Sequence, residues 1–338
     1  MNTTAMQVKF FQYLKTKLPE GVSMAEEVAA ALNISTDSAY RRIRGEKPVT
    51  FEELHTLCTR YRLSLDTLLN LQSDTIPFQG KYVDPVSFRF DEYLTAVGQQ
   101  VKYMASFKER EMYYLCKDIP LFHHYHYKEL AAFKYFFWHK TLLQTPEFSS
   151  LKIQLSQYPD EIFEIGRKAL DTYNQIDSIE IWNIESLTST LRQVEYYQDS
   201  KIFQNKEDLL LVYNALEKLF IHLEAQAEMG YKFDNRDPDR KPLSSYHLYF
   251  NEVVSGDNSI LAVLDTSKIC FLTHSAINFM VTRDVAFCDN MYSYYHNLMR
   301  KSTLISSVSE RERSQFFKRL RKRIEARKQA LGISVNAG

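Results

Sequence analysis

The sequence predicts two domains: an all-α domain of five short helices over residues 1–71, then a larger, mainly helical α+β domain over residues 88–303 with an antiparallel β-hairpin or meander near its C-terminal end. Three observations predict it. Up to residue 71, apolar residues recur at helical spacing in short runs, each bounded by a capping or breaking residue. Residues 72–87 contain Pro77, Gly80 and Pro85 and lose all periodicity, as a linker does. From residue 88 helical patterns dominate as far as Met229, after which the period becomes strand-like. A chain of 338 residues suits two domains at roughly 100–200 residues each.

In the first helix Phe10, Phe11, Leu14 and Leu18 form the apolar stripe, and Pro19-Glu20-Gly21 stops it. Ser23 is placed to cap a second helix carrying Val28, Ala29 and Leu32. Asn33-Ile34 makes the turn into a third helix, which Ser35 caps and Gly45 ends. Thr50 and Glu53 form a capping box for a fourth, with Leu54, Leu57 and Cys58 inward. Ser64 opens a short fifth helix with Leu65, Leu68 and Leu69. In the second domain helices are expected over 91–105, 128–143, 160–173, 184–197 and 208–229. Strands are expected over 246–254, 259–264 and 268–274, with Gly256-Asp257-Asn258 turning between the first two, and 111–127 is a candidate for another.

Residues 304–338 read as a basic amphipathic helix and tail. Between Arg311 and Lys328 lie nine basic residues against two acidic ones, and Phe316, Leu320 and Ile324 recur every fourth position. Such a helix either touches DNA phosphate or an acidic partner, or docks its apolar stripe while its charges face water; the second is favoured. Ser309 and Glu312 stand at capping-box spacing before it.

A composition 45% hydrophobic and 25% charged, with a formal net charge of zero, is that of an ordinary globular chain. No apolar run approaches the roughly 20 residues that span a bilayer, and the first seventeen residues lack a signal-peptide core. Cys58, Cys116, Cys270 and Cys288 are scattered, which suits neither a disulfide framework nor a zinc finger, so a cytoplasmic location is expected. His123, His124 and His126 could place two imidazoles on one strand face as a metal site would, but no carboxylate or cysteine stands at ligand spacing, and a core role is favoured. The aromatic runs 133–138 and 292–295 read as core, with a small-molecule pocket as the alternative. No nucleophile elbow, phosphate loop, dinucleotide fingerprint or zinc-protease pattern occurs; neither an enzyme nor a cofactor is expected.

The residues Met24, Glu27-Val28-Ala29, Asn33-Ile34-Ser35, Arg42-Ile43-Arg44-Gly45, Glu53-Leu54 and Ser64-Leu65-Asp66-Thr67-Leu68-Leu69 resemble the Cro-like, phage-repressor type of helix-turn-helix family, over about a fifth of the chain. The resemblance implies that the third helix, about residues 36–44, reads the major groove of double-stranded DNA. Carried over by position, Thr36, Asp37 and Arg41, with Tyr40 beside them, face base edges. Arg41 suits a guanine and Asp37 a cytosine amine. Arg44 and Lys47 would meet phosphate. Arg42 stands where the family usually has an apolar residue, so a slight rotation of the helix would make Arg42 the reader instead. The implied function is a sequence-specific transcriptional regulator whose second domain makes a homodimer or senses an effector. The alternative is an interaction protein that uses the same fold for protein docking.

Overall fold

In a computed structural model, described here for residues 3–19, 21–63, 65, 75–80, 83–84, 86–253, 256–275 and 277–331, the chain forms two compact units, Met1–Pro77 and Phe78–Gly338. The N-terminal unit contains helices α1 (Thr3–Lys15), α2 (Met24–Leu32), α3 (Thr36–Ile43) and α4 (Phe51–Tyr61). Their apolar stripes meet in one core of Phe10, Phe11, Leu14, Val28, Ala29, Ala39, Leu57 and Leu63. Ser35 caps α3 by accepting from the Ser38 N–H, and Thr50 with Glu53 closes the capping box of α4. Ser23 stands at the N-cap of α2 without a side-chain bond. The expected fifth helix falls almost wholly outside the described residues.

The second unit is built on an eight-stranded mixed sheet. Its elements in order are α5 (Phe90–Ala105), β1 (Arg110–Cys116), a 3₁₀ segment (Leu121–His126), α6 (Lys128–Phe137), α7 (Asp160–Tyr173), β2 (Asp177–Trp182), α8 (Glu185–Asp199), α9 (Lys206–Met229), β3 (Tyr231–Lys232), β4 (Ser244–Phe250), β5 (Ser259–Leu264), β6 (Ser267–Ser275), β7 (Asn278–Thr282), α10 (Val285–Arg300), β8 (Thr303–Leu304) and α11 (Glu310–Ala330). The strands lie in the order β3-β4-β2-β1-β5-β6-β7, and β8 pairs with β4. β1, β2 and β4 run parallel, joined through helices, whereas β5, β6 and β7 form an antiparallel meander on β1.

Three expectations change. The pairing of 246–254 with 259–264 does not occur: β4 lies on β2 and β5 lies on β1, because the central parallel strands take both partners. Ser309 adopts a left-handed conformation (φ 56°) and makes no capping bond, so the expected box before α11 is absent. Within the expected linker, Gln79 exchanges both backbone hydrogen bonds with Val281 at 2.7 Å, extending the sheet beyond β7.

The sheet is covered on both faces, which is why β1 and β2 bury nearly every residue instead of alternating. Met112, Tyr114 and Cys116 face the large core under α5 to α9 and α11, while Tyr113, Leu115, Ile179 and Ile181 face Cys288, Tyr295 and Leu298 of α10. The run Phe133–Trp138 contributes five core side chains (Phe133, Phe136, Phe137 and Trp138, with buried Lys134), which makes it packing and not a cage. Gly230 ends α9 at φ +75°, where a Cβ would also collide with Ser307 Oγ.

The three clustered histidines lie on the 3₁₀ segment, not on a strand, and all are buried. Each of four buried imidazoles, on His124, His126, His139 and His222, leaves its Nε2 without a hydrogen-bond partner among the described residues. His124 and His126 donate from Nδ1 to the Leu121 carbonyl and to Asn235 Oδ1. A proton on Nε2 would therefore create a buried donor with no acceptor. Burial pushes His124 and His222 down to about 3 and His139 to about 4, and it lowers His126 well below its ordinary value. Because these folded values lie below the unfolded one of about 6.5, the unfolded chain binds the extra protons. Stability is fully present above about pH 6.5 and is lost as pH falls toward about 4 for His139 and about 3 for His124 and His222, at about 1.4 kcal/mol per pH unit for each histidine. The urea midpoint of this unit is expected to drop steeply between pH 6.5 and 4.5, and His222→Asn to flatten the slope. A midpoint constant across that range would contradict these environments.

Candidate nucleic-acid interface

The candidate interface is one face of α3 and the loop that follows it. α2 ends with Asn33 in the left-handed region (φ 52°, ψ 51°), and Ile34 N–H returns to the Ala29 carbonyl, so the chain reverses within two residues. α3 then packs through Ala39, which is fully buried. Thr36, Asp37, Tyr40, Arg41 and Arg44 are all exposed and fall at intervals of one helical face, opposite the buried Ala39 and Arg42. Lys47, in the loop, is exposed as well.

Arg42 is placed differently. It is 4% exposed, with its guanidinium forked onto Glu53: Nε donates to Oε2 at 2.9 Å and Nη2 to Oε1 at 2.5 Å. Nη1 donates to the Ser38 carbonyl at 3.1 Å. The fork holds the Glu53 carboxyl below its usual range, and Glu53 also accepts from Thr50 N–H as the α4 cap. Arg42 thus joins α3 to α4 and is unavailable to a groove, so the helix needs no rotation to present Arg41.

The loop after α3 is held by a residue that carried no sequence signal. Gln7 of α1 donates from Nε2 to the carbonyls of Arg42 (2.7 Å) and Lys47 (2.8 Å), and its Oε1 accepts from Val49 N–H at 3.1 Å. Gly45 (φ +77°) turns the chain out of α3. On the surface Glu46 lies against Arg44 (2.7 Å) and, more distantly, Arg41 (4.0 Å). Exposed pairs of this kind contribute at most about 1 kcal/mol and yield readily to a stronger anion.

Comparison with family models, with curated proteins and with solved structures gives no match.

Elsewhere part of the basic charge of α11 is committed to ion pairs. Phe316, Phe317, Leu320 and Ile324 are buried in the large core. Arg321 pairs with Glu224, Lys328 with Glu217 at 2.8 Å and Arg327 with Glu195 at 2.6 Å. Among the described residues no three His, Cys, Asp or Glu side chains gather as a metal site, and no helix is long and apolar enough to cross a membrane.

Proposed function

We propose that the protein is a sequence-specific DNA-binding transcriptional regulator, with the N-terminal unit acting as a helix-turn-helix domain of the Cro-like kind. In this reading α3 enters the major groove, Thr36, Asp37, Tyr40 and Arg41 meet base edges, and Arg44 and Lys47 meet phosphate. The observation that carries it is the division of labour along α3. Ala39 and Arg42 hold the helix from within, while the opposite face presents polar and cationic side chains with no structural task. Residues 1–77 contain nine basic and nine acidic residues, so affinity must come from this local arrangement and not from overall charge.

One small unit of this kind makes few phosphate contacts, and two recognition helices about 34 Å apart bind far better than one. The second unit is accordingly assigned to homodimer formation or effector sensing. The test is selection of bound sequences from a random duplex pool by the full chain, wild type beside Arg41→Ala. An inverted repeat enriched only by the wild type is the expected result. Its affinity should fall with salt at a log–log slope of about −0.9 per phosphate contacted. No enrichment, with binding to a protein partner insensitive to salt, would replace this reading with protein docking.

A further inference from the structure

The second unit carries a groove that neither the DNA reading nor the sequence patterns account for. Its volume is about 680 Å³, and it is lined by Ile184, Phe250, Glu252, Arg319, Lys322 and Arg323, with Ala326 and Arg327 completing its wall. It lies beyond the carboxyl ends of two adjacent parallel strands, since β2 ends at Trp182 and β4 at Phe250. The volume falls within the roughly 300–1,000 Å³ of small-molecule sites, and Phe250 with Ile184 supplies an apolar floor.

The wall is one flank of α11. Residues 319, 322, 323, 326 and 327 recur at helical spacing along it, beside the buried stripe of Phe316, Leu320 and Ile324. The two flanks of the helix differ. Arg321 and Lys328 are tied to Glu224 and Glu217 of α9, whereas Lys322, exposed and facing the groove, has no ion-pair partner among the described residues. Arg319 reaches Glu252 only at 3.5 Å and Arg323 reaches Glu185 only at 3.8 Å, and both carboxylates are more than half exposed. Such pairs are worth little in water, so an anion entering the groove exchanges them at small cost. Arg323 is also oriented by the Ile184 carbonyl and the Thr188 hydroxyl, which fixes its guanidinium at the groove edge. Arg327, held by Glu195 at 2.6 Å, stays in place as part of the wall.

We infer that this groove binds a small polyanion, one with at least two negative charges held by Arg319, Lys322 and Arg323, and with its remaining surface against Phe250. The inference does not depend on how the N-terminal unit is used. Pyrophosphate and citrate distinguish a phosphate-bearing from a polycarboxylate ligand. Each is titrated calorimetrically into the full chain at low salt, beside Lys322→Gln, Lys322→Glu and Arg319→Glu. Lys318→Glu is the control, since it lies on the same helix, exposed and outside the groove. Saturable one-to-one binding of at least one probe is expected. Either charge reversal should weaken it at least tenfold, Lys322→Gln should weaken it several-fold, and Lys318→Glu should leave it within twofold. Thermal melts matching the wild type tie the loss to the groove. Absence of saturable binding to both probes overturns the inference, as does an equal loss in Lys318→Glu, which would reduce the effect to diffuse helix charge.

Discussion

Glu180→Ala is expected to cost the second unit more than about 4 kcal/mol and to leave much of it unfolded at ambient temperature. Glu180 sits in β2 at the centre of the sheet with no exposed surface. Its Oε1 accepts from Tyr173 OH (2.5 Å) and pairs with His123 Nε2 (2.8 Å), and its Oε2 accepts from Trp182 Nε1 (2.7 Å) and Tyr246 OH (2.9 Å). Burial alone would raise its pKa, but His123, the Tyr173 hydroxyl and nearby Lys232 outweigh burial and hold it at about 2. Truncation strands these partners in the core, and each orphaned buried group costs about 1–3 kcal/mol. The nearby Lys232 ammonium, whose three donors meet the Tyr173 and Ile176 carbonyls and Ser178 Oγ, would also lose its compensating charge. Glu180→Gln should be milder, because the amide oxygen can still accept from Trp182 while the tyrosine hydroxyls turn to accept. The readout is urea unfolding by tryptophan fluorescence: the chain has two tryptophans, Trp138 and Trp182, both in this unit. An unchanged midpoint in Glu180→Ala would show that the network contributes nothing to stability.

The neighbouring arginines Arg41 and Arg42 should separate cleanly. Arg42→Ala removes the fork to Glu53 and leaves a carboxylate only partly open to water, at a cost of about 3 kcal/mol, a large share of what so small a unit can hold. On the DNA-binding reading proposed above, its affinity for DNA should fall because the unit unfolds. Arg41→Ala should leave the melting temperature unchanged, since the side chain is more than half exposed and reaches Glu46 only at 4.0 Å. Its specific affinity should nevertheless drop by about tenfold to a hundredfold, the worth of one good bidentate base contact. The double substitution Arg42→Met, Glu53→Leu should recover part of the stability lost in Arg42→Ala, because an apolar pair avoids the stranded charge while the Glu53 cap on the Thr50 N–H is given up. Circular dichroism melts beside binding curves decide the matter. A stable Arg42→Ala protein that no longer binds DNA would return Arg42 to the reading face.

Which of these features the sequence made legible follows from how each is built. Helices with one wet face advertise their period: 160–173 and 91–105 were readable almost to the residue, as were the caps at Ser35 and Thr50. β2 was not readable. A strand buried on both faces has no alternation to show, and Ser178 and Glu180 make Asp177–Trp182 look like surface. β7 hides for a different reason: it is a short strand at the end of the sheet order, half-buried at four of its five residues, so it too shows no alternation, and α10 follows it unannounced. The turn at Gly256-Asp257-Asn258 suggested a hairpin because local chemistry cannot reveal that distant strands take the two segments apart, β2 pairing with β4 and β1 with β5. In the candidate interface the exposed positions were legible from helical spacing. The inward swing of Arg42 depended on Glu53 eleven residues away, and the Gln7 clasp on carbonyls some forty residues away, which no local pattern encodes.

The strand order of the second unit also dictates a timetable. β1 is the hinge of its sheet, yet both neighbours arrive late: Arg110 pairs with Leu264, and Glu111 with Asp177. As the chain leaves the ribosome, the N-terminal unit, whose contacts are local, can fold while β1 is still waiting. Its row of unsatisfied amides and its Met112–Cys116 stretch stay open until the meander has been synthesised. Slow, late-closing topologies of this kind are the ones that recruit chaperones and aggregate when production outruns them. Slower translation or lower temperature should therefore raise the yield of native protein more than any change to the first seventy residues.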